Sequence, residues 1–251
     1  MPQQREFGVV IVGSELLCGK RGDRHLRHVI ATLSARGQEV VWCRILDDYR
    51  PRLVRELRQT RRDDVPVFCF GGIGATPDDR TRPAAAEAFG VRLHRHAEAA
   101  RLIEERFGTA AYPNRIRMAE LPESCRLIPN PCNRIPGFSL EHHHFLPGFP
   151  EMAWPMLDWV LEQYYPALEE LRLERSLWVP GARESDLLEL MERLAARHGG
   201  AELFSLPRLG ETSSVEIGFR GRRSAIEAAM HDLVVALQER SLAFEDAGGE
   251  D

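Results

Sequence analysis

Residues 65–81 read VPVFCFGGIGATPDDRT, and this stretch decides the predicted fold. Its first six residues are an apolar run that ends at glycine, which is typical of a strand buried on both faces of a parallel sheet. Gly71, Gly72 and Gly74 follow this strand, and a helix is predicted from about Arg82. Ligands of such sheets bind beyond the carboxyl ends of the strands, so the glycine loop is the first candidate site.

The segments on either side of this stretch continue the alternation of strand and helix over about 165 residues. Strands or short apolar runs are predicted over 7–12, 39–45, 126–128 and 143–146. Helices are predicted over 26–33, 51–62, 96–107 and 151–164. Strands that alternate with helices of this length favour a mostly parallel sheet covered on both faces, which is a three-layer α/β domain.

The pattern changes after residue 166. A strand is predicted at 175–179, a helix capped by Ser185, strands at 202–206 and 214–219, and then a final helix. This βαββα order predicts a small, separate α+β domain. We therefore expect a large domain over 1–166, a small one over 167–244, and a disordered acidic tail over 245–251, where EDAGGED has no large apolar side chain.

The composition excludes several classes of protein. With 251 residues, 43% apolar and 28% charged, the chain has the composition of a globular domain. Its five cysteines are scattered without a CxxC pair, which argues against a secreted disulfide framework and a zinc ribbon. No apolar run approaches 18 residues and the N-terminus does not resemble a signal peptide, so a cytoplasmic location is predicted.

The charge is distributed unevenly along the chain. Residues 1–166 carry 23 basic against 21 acidic side chains, a net charge of +2, whereas residues 167–251 carry 10 against 17, a net charge of −7. A nucleic-acid-binding protein needs a concentrated basic face. We therefore predict neither a nucleic-acid nor a membrane partner.

The glycine loop carries the residue types of a phosphate site. Backbone N–H groups at glycines and the positive end of the next helix attract anions, and Thr76 and Thr81 offer hydroxyl groups. Asp78 and Asp79 would repel a phosphate unless a divalent cation lies between them, which suggests a metal-bridged phosphate site. The alternative is a tight turn in which these acids or Thr81 cap the helix. Neither a Walker A loop nor a complete GxGxxG fingerprint is present.

GGIGATPDDRT resembles the GGxGxTxDD-x-T signature of the molybdopterin-binding (molybdenum cofactor biosynthesis) domain superfamily. Further matching segments follow the family's order, at 13–19 with Asp23, 46–48, Asn114 with 119–122, 135–138 and 146–152. The last of them ends in PGFPEM and is similar to one branch, the N-terminal domain of competence/damage-inducible protein A and its stand-alone relatives. The resemblance covers roughly residues 6–165.

This resemblance implies a three-layer α/β domain that binds molybdopterin or a nucleotide diphosphate. For this branch it also implies a metal-dependent ADP-ribose pyrophosphatase. Residues 170–240 are similar to the small KH-like module of the same family, and the nicotinamide-nucleotide deamidase domain of longer relatives is expected to be missing.

The resemblance and the residue chemistry together predict the site. Asp47 and Asp79 are the predicted catalytic acids, and Asp47, Asp78 and Asp79 are the predicted ligands of Mg²⁺, Co²⁺ or Mn²⁺. The predicted ligand-binding residues are Glu15, Gly71, Gly72, Gly74, Thr76, Thr81 and Gly148. Two positions depart from the family, because Asp23-Arg24-His25 stands where many relatives have Asp-Thr-Asn, and Ser14 replaces an acid.

Two functions therefore remain open. In the first, a diphosphate lies across residues 71–74, attracted by backbone dipoles and by Lys20 or Arg80, and is hydrolysed with a divalent metal. In the second, the chain is a non-catalytic molybdopterin or nucleotide binder linked to molybdenum cofactor metabolism, which the missing acid at Ser14 favours. The predicted partner is a small phosphate-bearing molecule, and the resemblance implies a homo-oligomer, either a dimer or a trimer.

Overall fold

The computed structural model describes residues 6–166, 172–208 and 213–247. Their contacts divide the chain into two compact units, 1–168 and 169–251. In the described ranges, no helix combines the length and the apolar character needed to cross a membrane.

The first unit contains eight described strands and six described α-helices. The strands are β1 Glu6–Val12, β2 Glu39–Leu46, β3 Val67–Phe70, β4 Leu93–Arg95, β5 Glu120–Pro122, β6 Arg126–Ile128, β7 Gly137–Leu140 and β8 His143–Leu146. The helices are α1 Ser14–Leu17, α2 His25–Ser34, α3 Arg50–Thr60, α4 Thr81–Phe89, α5 Ala97–Phe107 and α6 Pro150–Tyr164. Two short 3₁₀ helices cover Gly108–Ala111 and Arg115–Ala119.

Six of these strands form one sheet in the order β2-β1-β3-β8-β7-β6. The first four run parallel to one another, whereas β7 is antiparallel to both β8 and β6. Strands β4 and β5 form a separate antiparallel pair. The structure thus confirms the predicted α/β fold with a mainly parallel sheet.

Strand β1 shows why the sheet is covered on both faces. Phe7, Val9 and Ile11 are buried in one core together with residues of α2 and α6. Val10 and Val12 belong to a second core, to which α3, α4 and α5 contribute. Because successive side chains of a strand point to opposite faces, an uninterrupted apolar run requires a core on each side.

Two parts of the first unit differ from the sequence prediction. No helix is predicted between 13 and 25, yet the single helical turn α1 forms there, and no strand is predicted around 135–138, yet β7 begins at Gly137. Gly137 starts this strand because the backbone of β8 is close there, and a Cβ atom on Gly137 would lie 2.4 Å from the carbonyl oxygen of Phe145. A glycine next to proline indicates a turn in sequence, whereas here it permits close strand packing.

The second unit is an antiparallel sheet with two helices. Its elements are β9 Arg172–Pro180, α7 Glu184–Arg197, β10 Ala201–Arg208, β11 Ser214–Arg222, α8 Arg223–Glu239 and β12 Glu245–Asp246, and its strand order is β10-β11-β9-β12. The resemblance to a KH-like module stays a prediction.

The start of α7 and the C-terminal segment of this unit differ from the sequence prediction. The predicted cap at Ser185 is wrong, because α7 begins one residue earlier and the Asp186 carboxylate accepts the backbone N–H of Arg183 at 3.2 Å. Residues Glu245 and Asp246 of the predicted tail form β12, which pairs with β9. Residues 248–251 of that tail lie outside the described residues.

Two neighbouring histidines of β8 are buried on opposite faces of the sheet. His143 Nε2 lies 2.8 Å from the Thr60 hydroxyl. His144 Nδ1 lies 2.8 Å from the Ser139 hydroxyl, and its Nε2 lies 2.8 Å from the Tyr165 hydroxyl. Burial lowers the pKa of His144 to about 3, and it lowers the pKa of His143 well below its ordinary value. Both imidazoles are therefore neutral in the folded chain at neutral pH.

This burial predicts that the first unit loses stability in mild acid. Below pH 6.5, the ordinary pKa of histidine, the unfolded chain binds protons that the folded chain does not, so stability falls as the pH falls from about 6.5 toward 3. At 1.36 kcal/mol per pH unit, we expect His144 alone to lower the free energy of unfolding by about 2 kcal/mol between pH 7.5 and 5.

Urea denaturation of the wild type and of His144→Gln at both pH values measures this contribution. The glutamine variant is less stable at pH 7.5, but its decline toward pH 5 is smaller by about that amount. Equal declines in the two proteins would show that His144 does not carry the effect.

Candidate functional site

Four parallel strands bring their carboxyl ends to one edge of the sheet. Val12 at the end of β1 is in register with Leu46 of β2, and Phe70 at the end of β3 is in register with Leu146 of β8. The segments that leave these strands are 13–24, 47–49, 71–80 and 147–149. The segments at 13–19, 46–48, 71–81 and 146–152, all predicted to carry chemistry, are therefore neighbours along this edge.

Two adjoining clefts open at this edge. The first cleft has a volume of about 460 Å³ and is lined by the glycine loop. The second cleft has a volume of about 420 Å³ and is lined by the start of α2. Both clefts share five lining residues, which are Val12, Glu15, Arg21, Gly148 and Phe149.

The first two glycines of the loop are required by its backbone. Gly71 has φ +99°, and a Cβ atom there would lie 2.3 Å from the carbonyl oxygen of Val12. Gly72 has φ +68°, and a Cβ atom there would lie 2.2 Å from the Thr81 hydroxyl. Other residue types rarely adopt these angles and would collide with their neighbours, so only glycine fits.

The Asp79 carboxylate stabilises the loop by hydrogen bonds to Thr76. Its Oδ2 accepts the backbone N–H of Thr76 at 2.8 Å and the hydroxyl of the same threonine at 2.6 Å. The backbone N–H of Asp79 in turn donates to the Thr76 carbonyl at 3.0 Å. The tight turn left open by the sequence is therefore real, and it lies within the loop that lines the cleft.

Four consecutive residues of this loop have unused backbone donors. Among the hydrogen bonds of the described residues, the N–H groups of Gly72, Ile73, Gly74 and Ala75 have no acceptor. All four residues line the first cleft. A run of backbone N–H groups without acceptors is able to bind an anion such as phosphate where the groups point to one place.

Arg82, which the sequence analysis did not single out, holds the loop from behind. It is buried at the start of α4, and its guanidinium donates to the carbonyl of Gly74 at 2.5 Å, to that of Glu120 at 2.9 Å, and to that of Arg117. Burial lowers the pKa of Arg82, while the nearby charge of Asp79 raises it. The one sequence signal was an arginine within the otherwise apolar, alanine-rich start of α4.

The acidic pair after β2 is divided between two environments. Asp48 lines the first cleft, and its Oδ2 accepts the backbone N–H of Ser14 at 2.9 Å and the Ser14 hydroxyl at 2.8 Å. Asp47 does not line either cleft and instead accepts a hydrogen bond of 2.7 Å from Arg52. The structure therefore brings Asp48, rather than the predicted Asp47, to the site.

Most of the other predicted residues meet in the first cleft. These are Glu15, Gly71, Gly72, Gly74, Thr76, Asp78, Asp79 and Gly148. Thr81 is the exception, because it is buried behind Gly72 and its backbone N–H donates to the carbonyl of that glycine at 2.9 Å.

The cation at the site is not one that the sequence analysis considered. Lys20 and Arg80 line neither cleft, whereas Arg21 lines both. The Arg21 N–H donates to the carbonyl of Glu15, which fixes its backbone after the turn of α1. The sequence offered no signal to choose Arg21 over its neighbour Lys20, since their side-chain directions depend on that turn.

The acidic side chains at this edge are not grouped as a set of metal ligands. Across the described ranges, no group of three His, Cys, Asp or Glu side chains is arranged to hold a metal ion. The predicted set Asp47, Asp78 and Asp79 is therefore not assembled. Four carboxylates nevertheless line the first cleft, those of Glu15, Asp48, Asp78 and Asp79.

His25 lines the second cleft and contacts Gly148, which lines both clefts. The Asp23 carboxylate accepts the backbone N–H groups of His25 and Leu26, both at 2.9 Å, and so begins α2. His25 Nε2 lies 3.1 Å from the carbonyl oxygen of Gly148, and the imidazole stacks on Phe70 at 4.4 Å between ring centroids. Burial lowers the pKa of His25, although the Gly148 hydrogen bond and the Asp23 charge oppose this shift. The histidine is therefore a neutral link between α2 and the segment after β8.

Known proteins are similar to this chain in sequence. The sequence model of the family described as "Probable molybdopterin binding domain" matches residues 8–169. A "CinA-like protein" of Geobacter sp. (strain M21) is 33% identical over 192 residues, which are 73% of this chain and 46% of the relative. A "Putative competence-damage inducible protein" of Clostridium botulinum (strain Kyoto / Type A2) is 28% identical over 82% of this chain and 52% of the relative. The chain thus spans about half the length of the curated relatives it matches.

Among solved structures, the protein CinA from Thermoplasma acidophilum, whose function is described as unknown, is similar to the first unit. It is 26% identical with a TM-score of 0.59, covering 63% of this chain and 98% of that one.

The hydrogen bonds of Arg82 predict that this residue is essential to the loop. We expect Arg82→Met to lower the free energy of unfolding by at least about 2 kcal/mol, because three carbonyl groups lose a charged donor. Urea denaturation measures the loss. The matched control is Arg92→Met, since Arg92 is 84% exposed and its one ion pair among the described residues is with Glu123, so its loss should stay below about 1 kcal/mol. Similar losses in the two variants would contradict the role given to Arg82.

Proposed function

The chain belongs to the family of probable molybdopterin-binding domains, and from this membership we propose that its first unit binds a phosphate-bearing pterin or nucleotide. The observation that carries the proposal is the run of backbone N–H groups without acceptors at residues 72–75 in the first cleft. Such groups bind phosphate oxygens without any rearrangement of the loop, because Asp79 and Arg82 already hold its shape.

The balance of charge in the first cleft fits a divalent cation that is bound together with the ligand. Four carboxylates and a single cation, Arg21, line this cleft among the described residues. A diphosphate alone would be repelled by this set, whereas Mg²⁺ is commonly held by one or two carboxylates plus substrate phosphates. The acids that would hold it are Asp48 and Asp79 or Asp78, with no need for a group of three protein ligands.

We further propose that the bound ligand is hydrolysed at its diphosphate, with ADP-ribose as the substrate type. Water attacks one phosphorus atom, the bridging P–O bond breaks, and the two products are AMP and ribose 5-phosphate, with the released proton passing to solvent. A divalent cation supplies polarisation of the phosphoryl oxygens and a lower pKa for the attacking water. The chain itself contributes the N–H groups that stabilise charge on the phosphate and Arg21 at the junction of the clefts.

A second function, binding without catalysis, is favoured by a separate observation. One oxygen each of Asp48 and Asp79 already accepts hydrogen bonds, from Ser14 and Thr76 respectively. Carboxylates in such roles hold loops together and are less free to bind a metal. In this case the chain is a non-catalytic molybdopterin- or nucleotide-binding protein linked to molybdenum cofactor metabolism. Its cytoplasmic location and its assembly as a dimer or trimer remain predictions under both functions.

Release of AMP from ADP-ribose distinguishes the two functions. With Mg²⁺, Co²⁺ or Mn²⁺ we expect turnover that EDTA abolishes, and a fall in kcat on the order of 100-fold for Asp48→Asn and Asp79→Asn. From the geometry, Asp47→Asn should have a smaller effect than Asp48→Asn. The control is Asp63→Asn, because Asp63 pairs with Arg44 and lines neither cleft.

Binding measured in the same samples decides the remaining outcomes. Ligand binding without product under any metal supports the second function, binding without catalysis. Absence of both binding and turnover would refute the assignment of a phosphate ligand to this cleft.

A further inference from the structure

Phe149 is an exposed aromatic residue at the junction of the two clefts. All eleven phenylalanines of the chain lie within the described residues, and Phe149 is the one whose exposure, 57%, exceeds a third. An exposed phenyl ring gains nothing from core packing. Its place among the residues that line both clefts indicates that a ligand covers it.

The backbone around this ring is fixed beside the phosphate loop. Phe149 caps α6, and its carbonyl accepts the N–H groups of Met152 at 3.0 Å and Ala153 at 2.9 Å. The preceding residue, Gly148, is held by the His25 imidazole and packs against Gly71, since a Cβ atom on Gly148 would lie 3.4 Å from the Cα of Gly71. The ring is therefore attached to a rigid segment next to the N–H groups of residues 72–75.

The two clefts differ in what else they offer a ligand. The first cleft adds apolar side chains to the phosphate loop, those of Ile73, Met118, Ile135 and Met152. Outside the shared residues, the second cleft is lined by the charged side chains of Asp23, Arg24 and Glu151 together with His25 and apolar residues of β1, α1 and β3. A flat ring on Phe149 therefore finds apolar side chains and the phosphate loop together in the first cleft.

We propose that Phe149 forms the stacking surface for the flat heterocycle of the ligand, a pterin or a purine, whose phosphates lie on residues 72–75. This inference rests on the proposed function and deepens it. Removal of a ring that stacks on a base costs about 1–3 kcal/mol, which corresponds to a five- to 150-fold weaker binding. Phe149 thus selects ligands that carry a heterocycle over simple phosphates.

The test compares probes with and without a heterocycle. Calorimetry gives the Kd of ADP-ribose, of 6-hydroxymethylpterin diphosphate and of inorganic pyrophosphate, each with Mg²⁺ and each with a methylene group in place of the bridging oxygen so that it is not hydrolysed, for the wild type and for variants of the full chain. We expect Phe149→Ala and Phe149→Leu to raise the Kd of the bound heterocyclic probe at least five-fold, while the Kd of pyrophosphate changes less than two-fold. Phe149→Trp keeps a flat ring and should retain the binding of the heterocyclic probe within two-fold.

Tyr49→Ala is the matched control. Tyr49 is likewise an exposed aromatic residue at the cap of a helix that begins with proline in its first turn, but it lines neither cleft. It should bind every probe as the wild type does.

Equal losses for all probes in Phe149→Ala, or no loss for any, overturn the inference while the proposed function stands. A wild type that binds pyrophosphate but neither heterocyclic probe also overturns it. A wild type that binds none of the three probes overturns the inference and the proposed function together.

Discussion

The close approach of three backbone segments at the end of β3 is the constraint on which the site depends. A Cβ atom on Gly71 would lie 2.3 Å from the carbonyl oxygen of Val12, and a Cβ atom on Gly148 would lie 3.4 Å from the Cα of Gly71. Gly71 therefore has no room for a side chain where the strands end. The glycine loop begins at this crowded point, and the N–H groups of residues 72–75 have no acceptor among the hydrogen bonds of the described residues.

Charge complements this geometry. The cleft offers an anion four backbone donors and Arg21, yet surrounds them with four carboxylates. An anion alone would leave the carboxylates without a partner, and a cation alone would leave the backbone donors and Arg21 without one. A ligand that brings phosphate groups together with a cation satisfies both, whereas a bare anion or a bare cation satisfies only one. Under the proposed function, the metal and the phosphate would each create part of the other's site.

The sequence predicted the mainly parallel sheet well, because the sheet follows from short-range patterns. Apolar runs that end in glycine identify β1 and β3, and the order of such strands determines which loops share an edge. The individual roles of side chains depend on contacts that sequence patterns do not encode. Which member of the pair Asp47 and Asp48 reaches the cleft depends on the direction in which β2 ends. The importance of Arg82 depends on carbonyl groups that lie more than thirty residues away along the chain.

Those distant carbonyl groups determine whether the glycine loop can be moved into another protein. The guanidinium of Arg82 joins the glycine loop to a 3₁₀ helix and to β5, so three separate parts of the chain share one hydrogen-bonding centre. Transfer of residues 70–81 alone into another protein would leave out this centre and two of its three partners. The loop is therefore not a portable module, and a working copy in a designed protein would have to include the buried arginine with the segments that surround it.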